Sequence, residues 1–105
     1  MSVLLCLCTV PNTGVARRLA TLWVRRGHAA CVTMLPPALS TYRWKGKVEN
    51  SKELLLLVKT TPVGAKKIRA ALKKDHPYEC PEWLEFRAAG ALAAYAKWIG
   101  DSVKI

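Results

Sequence analysis

The first 48 residues contain no carboxylate. All seven acids of this 105-residue chain lie at or after Glu49, against 17 Lys and Arg, and the formal net charge is +10. Other signals are missing as well. There is no C-x-x-C, which argues against a zinc ribbon or a thioredoxin-type redox pair. Neither G-x-G-x-x-G nor G-x-x-x-x-G-K occurs, so no dinucleotide or P-loop site is expected, and there is no nucleophile elbow. No apolar stretch approaches the ~20 residues of a spanning helix, and the apolar run at residues 3–8 is too short for a secretory signal. The expected location is the cytoplasm.

What is present is material for a core. Apolar residues make up 51% of the chain and no polar low-complexity tract interrupts them, so one folded domain is expected over residues 1–105. Ser2 to Thr9 is short, apolar and followed by Pro11, which predicts a buried strand. Asn12 can cap the next helix, where Val15, Ala16, Leu19, Ala20 and Trp23 recur at amphipathic spacing before Gly27 stops it. Ala29 to Trp44 is strand-like apart from Pro36 and Pro37, which cannot donate ladder hydrogen bonds and impose a bend, a bulge or an edge position. Lys45-Gly46 reads as a tight turn with Gly at positive φ. Lys47 to Thr60 returns as a strand, and its unalternating Leu54–Val58 run predicts burial on both faces. Thr61-Pro62 opens a second helix striped by Ala65, Ile68 and Leu72. Trp83–Arg87 is a short strand and Leu92–Val103 a last helix. The expected fold is therefore α+β: a ferredoxin-like split β-α-β-β-α-β with an additional C-terminal helix.

Strand length carries the reading further. Two central strands of about 14 residues would reach roughly 45 Å at ~3.3 Å per residue. An isolated two-stranded extension is marginal in water. Because this one contains Leu39, Tyr42, Trp44 and Val48, an oligomer that covers the hairpin is expected.

The side chains capable of chemistry are few. Cys6 and Cys8 are two apart on a strand and share a face, and a thiolate pair with an imidazole would suit copper or zinc. The competing reading is ordinary core packing, which also suits Cys31; Cys80 should be accessible, and all four should be reduced. His76 precedes Pro77 on a constrained loop, where it could bind metal, pair with Glu79 or serve as a hydrogen-bonded structural residue. His28, beyond the helix stop, reads as a cation at a helix C-terminus. Glu79 and Glu82 have no defined geometry as an acid/base pair, and no enzyme activity is expected. Trp23 and Trp98 follow helix stripes and should pack, while Trp44 and Trp83 on strands suit a subunit contact at least as well as ligand stacking. Arg17, Arg18, Arg25, Lys66, Lys67, Arg69 and Lys73 make both helices basic, so anion or nucleic-acid binding by these faces is the alternative function. No RNP-type aromatic pattern accompanies them, and nucleic acid is not the expected partner.

Several segments, in order and at their spacing, carry a resemblance that covers nearly the whole chain. They are Leu7-Cys8-Thr9-Val10-Pro11, Ala29-Ala30-Cys31-Val32, Ser40 through Glu49, Glu53 through Thr61, His76-Pro77-Tyr78-Glu79, Pro81-Glu82, and Gly90, Tyr95 and Trp98-Ile99. Together they resemble the CutA family of divalent-cation tolerance proteins. The resemblance implies a homotrimer built like the PII signalling proteins, with copper or another divalent metal as ligand and no cofactor required for folding. It implies copper ligands at a first-strand thiol, matched by Cys8, and at a His-His pair, where Asp75 replaces the first His and His76 matches the second.

Overall fold

The computed structural model describes residues 2–104. Strand β1 (Leu4–Val10) is followed by helix α1 (Thr13–Arg25), β2 (Cys31–Met34), β3 (Ala38–Trp44) and β4 (Lys47–Thr60). Helix α2 (Pro62–Asp75), strand β5 (Leu84–Arg87) and helix α3 (Ala93–Ser102) complete the order. The sheet runs β2-β4-β1-β5, with β3 also paired to β4, and every pairing is antiparallel. With β2 and β3 counted as one interrupted strand, this is the ferredoxin-like order.

Local chemistry sets the element ends. The Asn12 side chain accepts a hydrogen bond from Val15 N at 2.9 Å, and Thr61 Oγ1 accepts from Gly64 N at 3.3 Å. Both satisfy amides that a helix start leaves without partners. Gly27, at φ 73°, turns the chain out of α1. At the hairpin tip Lys45 has φ 50° and Gly46 φ 81°. Two successive positive values match the strand twist of a two-residue hairpin, so the lysine shares a conformation that the sequence reading gave to the glycine alone.

Pro36 and Pro37 divide the second strand. Met34 pairs with Leu56 on one side and Ala38 with Glu53 on the other, so the register shifts by one residue across the bend. A one-residue shift exchanges faces. It accompanies the change along β4 where the adjacent Glu53 and Leu54 are both buried. Beyond it β3 and β4 project as a hairpin, and the long axis of the molecule is 44 Å.

The sheet has two unlike faces. Cys6 pairs with Val58 and Cys8 with Leu56, and all four are fully buried with Leu19, Trp23, Ile68 and Leu72 in the main core. That face carries α1 and α2. On the opposite face Leu7 pairs with Leu57 and Leu84, and Leu5 with Phe86. The β4 leucines here are only half-buried, and Leu84 and Phe86 are 51% and 49% exposed. In the single chain, then, the Leu54–Val58 run is buried on one face rather than two. Helix α3 adds a small second core of Ile99, Val103 and Ala30. Trp98, expected to pack, is exposed and stacks on Tyr95 at 5.7 Å.

Candidate functional site

The three residues matched to copper ligands have separate surroundings. Cys8 lies in the core, where burial, followed by the charges of Glu82 and Glu53, pushes its thiol up to about 12. Cys6 is likewise pushed up to about 12, chiefly by burial. Without a bound metal both are therefore protonated thiols near neutral pH. His76 is buried beside the end of β1, and both ring nitrogens are engaged. Nδ1 accepts from Tyr78 N at 3.1 Å, which leaves the proton on Nε2, and Nε2 donates to the Thr9 carbonyl at 2.8 Å. Burial lowers the His76 pKa, so the neutral ring is favoured. Asp75 turns toward α1 instead. Its carboxylate lies 3.3 Å from Arg26 Nη1, and its carbonyl accepts from Arg18 Nη2 at 2.9 Å.

In the single chain each of the three is engaged elsewhere: Cys8 in the core, His76 with Thr9 and Tyr78, and Asp75 with Arg26. Among the described residues, no group of three or more His, Cys, Asp or Glu is placed to hold one. His76 does not pair with Glu79, because its ring is held by the strand end and the loop backbone. His28 is not the expected cation either: burial, then the charges of Lys67 and Arg26, lower its pKa.

What the fold does bring together is a cleft of about 690 Å³ at the base of the hairpin. One wall is β3, with Tyr42 and Trp44; the other is the loop from Pro77 to Glu82, which crosses the end of β1 at Thr9. Glu53 lies within it, 8% exposed, and its Oε2 accepts from the Tyr78 hydroxyl at 2.8 Å. Burial, then the hydrogen bond and charge of Glu53, hold the Tyr78 phenol well above its ordinary range, so this hydroxyl stays a donor. Glu82 is raised by burial and by the charge of Glu53. At the rim, Lys45 Nζ sits 5.6 Å from the Trp44 ring centroid and 3.9 Å from Glu79 Oε1.

Sequence reasoning passed over Glu53 and Tyr78 as site residues, and it found no defined geometry for Glu79 and Glu82. One signal was available. Glu53 is a lone carboxylate directly ahead of a run of five apolar residues, Leu54 to Val58, and a charge there needs a partner when it is buried.

A four-strand antiparallel sheet with two helices on one face, an over-long hairpin and a cleft beneath it defines a ferredoxin-like domain of the PII-like build. Comparison with known proteins narrows this. Residues 4–102 match the family described as CutA1 divalent ion tolerance protein. The divalent-cation tolerance protein CutA of Thermus thermophilus is 41% identical over 96 residues, covering 91% of this chain and 93% of that one. The crystal structure of CutA from Xylella fastidiosa superposes with TM-score 0.94 at 36% identity, covering 99% of this chain and 100% of the other. An Archaeoglobus fulgidus structure, described as a periplasmic divalent cation tolerance protein CutA, gives TM-score 0.92 at 27% identity over 97% and 99% of the two chains. The chain belongs to the CutA1 divalent ion tolerance family.

Proposed function

We propose that the chain acts as a homotrimeric, non-enzymatic metal-tolerance protein of the cytoplasm, a single domain over residues 1–105. The observation that carries the assembly is the apolar sheet face formed by Leu5, Leu7, Leu55, Leu57, Leu84 and Phe86. It continues toward a hairpin whose Leu39 and Val48 are 68% and 64% exposed. An apolar face of this extent marks an association surface. Further copies of the same chain are the partners that would cover the hairpin at every position. A binding role in place of catalysis is supported by the chemistry of the described residues: the core thiols are protonated and the neutral His76 is locked at both nitrogens, so neither is poised as a nucleophile or base. The four free cysteines suit a reducing compartment. No helix among the described residues is long and apolar enough to cross a membrane.

Copper held by Cys8, His76 and Asp75 is the finer form of this reading. It requires the imidazole to leave the Thr9 carbonyl, the thiol to lose its proton and Asp75 to leave Arg26. A copper titration at several pH values tests it. Saturable binding that strengthens with pH and disappears in Cys8→Ala and His76→Ala supports this site. Unchanged binding in both variants removes it.

A further inference from the structure

The acid-free first part of the chain places four arginines on one side of α1. Arg17, Arg18, Arg25 and Arg26 line a shallow depression with Thr21, bounded by Asp75 at the end of α2. They form two adjacent pairs, and Arg17 to Arg25, like Arg18 to Arg26, is a step of eight residues. Eight residues rise about 12 Å along a helix axis. The two pairs therefore stand about as far apart as the edges of a B-form major groove, which is ~12 Å wide. We propose that this outer face of α1 binds duplex DNA through its phosphate backbone, without reading sequence. The missing aromatic readers bear on base recognition; phosphate contacts need none.

Four observations carry the assignment. First, the charge is not neutralised. Arg17 and Arg25 are exposed and meet no acidic partner among the described residues. Asp75 is the one carboxylate at the depression, and it is committed to Arg26. Second, two of the guanidiniums are already held in place. Arg26 Nη1 lies 3.3 Å from the Asp75 carboxylate, and Arg18 Nη2 donates to the Asp75 carbonyl at 2.9 Å. A guanidinium engaged at one nitrogen has further N–H groups for a phosphate, and it loses less side-chain freedom on binding. Third, α2 adds to the same positive field: burial, then the charges of Lys67 and Arg26, lower the pKa of His28 between the two helices. Fourth, the composition of the face disfavours its rivals. Helix α1 commits Ala16, Leu19 and Trp23 to the core, and Val24 is its one exposed large apolar residue, so it has no apolar face to enter a membrane. No aromatic ring lines the depression, whereas single strands are held by stacking. The proposal is independent of the metal reading. Of the assembly it needs only that copies associate through the opposite sheet face, which keeps α1 outward.

The test is fluorescence anisotropy of a labelled DNA duplex of about two helical turns and arbitrary sequence, titrated with the full chain in its native assembly near neutral pH. Saturable binding at low salt is expected. With phosphate contacts from at least Arg17, Arg18 and Arg25, log affinity should fall against log salt with a slope of about −2.7 or steeper, so a threefold rise in salt weakens binding about twentyfold. The double variant Arg17→Glu/Arg25→Glu should bind at least about tenfold more weakly and flatten the slope by about 2. Both positions are exposed, so its sedimentation mass and melting temperature should match wild type, which keeps loss of binding separate from loss of assembly or fold. Lys45→Glu/Lys47→Glu makes the same change in net charge at the hairpin tip and should stay within about threefold of wild type, because screening confines its effect. No duplex binding at low salt overturns the proposal. So does an equal loss in the two double variants, which would assign the affinity to net charge alone. Tighter binding to a single strand of the same length, or binding to phosphatidylglycerol vesicles without binding to the duplex, overturns it in favour of another partner.

Discussion

Replacing His76 by Ala separates the structural role of this residue from any role in binding. The wild-type imidazole supplies a donor to the Thr9 carbonyl and an acceptor for Tyr78 N, and it is 4% exposed. Alanine removes both partners and leaves a space. An unsatisfied buried polar group costs about 1–3 kcal/mol, so with Tyr78 N partly reachable by water the loss is about 2–4 kcal/mol. For a domain near 100 residues this corresponds to a fall of about 10–20 °C in melting temperature. Calorimetry at matched protein concentration is the assay, because association makes melting concentration-dependent. Two conservative variants sharpen the test. Asn places an acceptor near Nδ1 and Gln a donor near Nε2, so each should recover part of the loss by restoring one bond. A melting temperature within about 2 °C of wild type in His76→Ala would show that the imidazole is no part of the support for the loop.

Three further outcomes follow from the same geometry. As pH falls below 6.5, the unfolded chain takes up a proton at His76 before the folded chain does, because burial holds the folded value lower. Stability contributed by the neutral ring is therefore complete above that pH and is lost as pH falls through the lowered folded value; urea melts of His76→Gln should show a flatter acid limb. Gly64→Ala would drive a methyl group into the His28 carbonyl oxygen and the Thr60 hydroxyl, and denaturant melts should show a loss of about 3 kcal/mol. Native protein treated with iodoacetamide near pH 7 should leave Cys6 and Cys8 unmodified, and denatured protein should react at both, as peptide mass spectrometry can read; rapid native alkylation at either would contradict their placement.

Most of the fold was legible because its determinants are local. Asn12 and Thr61 as caps, Gly27 as a stop and the stripe from Ala16 to Trp23 each act within a few residues, and each has the expected role. Pro36 and Pro37 announced an interruption, but the one-residue register shift depends on how β4 pairs on both sides of the bend. The half-burial of Leu55 and Leu57 has a different origin. A run without alternation says that both faces prefer cover, and the partner for the second face need not lie in the same chain. The site was the least legible part. Glu53 and Tyr78 are 25 residues apart and meet only because the loop after α2 crosses the end of β1, a tertiary fact with no local signature. His76 was recognised as constrained, but the choice between ligand and structural support turned on the Thr9 carbonyl, 67 positions away.

The opening imbalance of charge has a physical arrangement. Arg26 and Arg69 pair with Asp75 and Glu85, while Arg17, Arg18 and Arg25 have no acidic partner among the described residues and stay exposed on α1. Association through the opposite sheet face would leave these basic helices facing outward, where their repulsion is weakest and most screened.

Further copies of the chain should close the uncovered sheet face. Sedimentation equilibrium of the wild-type protein and of Phe86→Glu tests it directly. The account predicts a mass three times the 11.6 kDa of one chain for wild type, and a shift toward the single-chain mass when a charge enters the face. A wild-type protein that stays at 11.6 kDa across the concentration range, with its secondary structure intact, would contradict it.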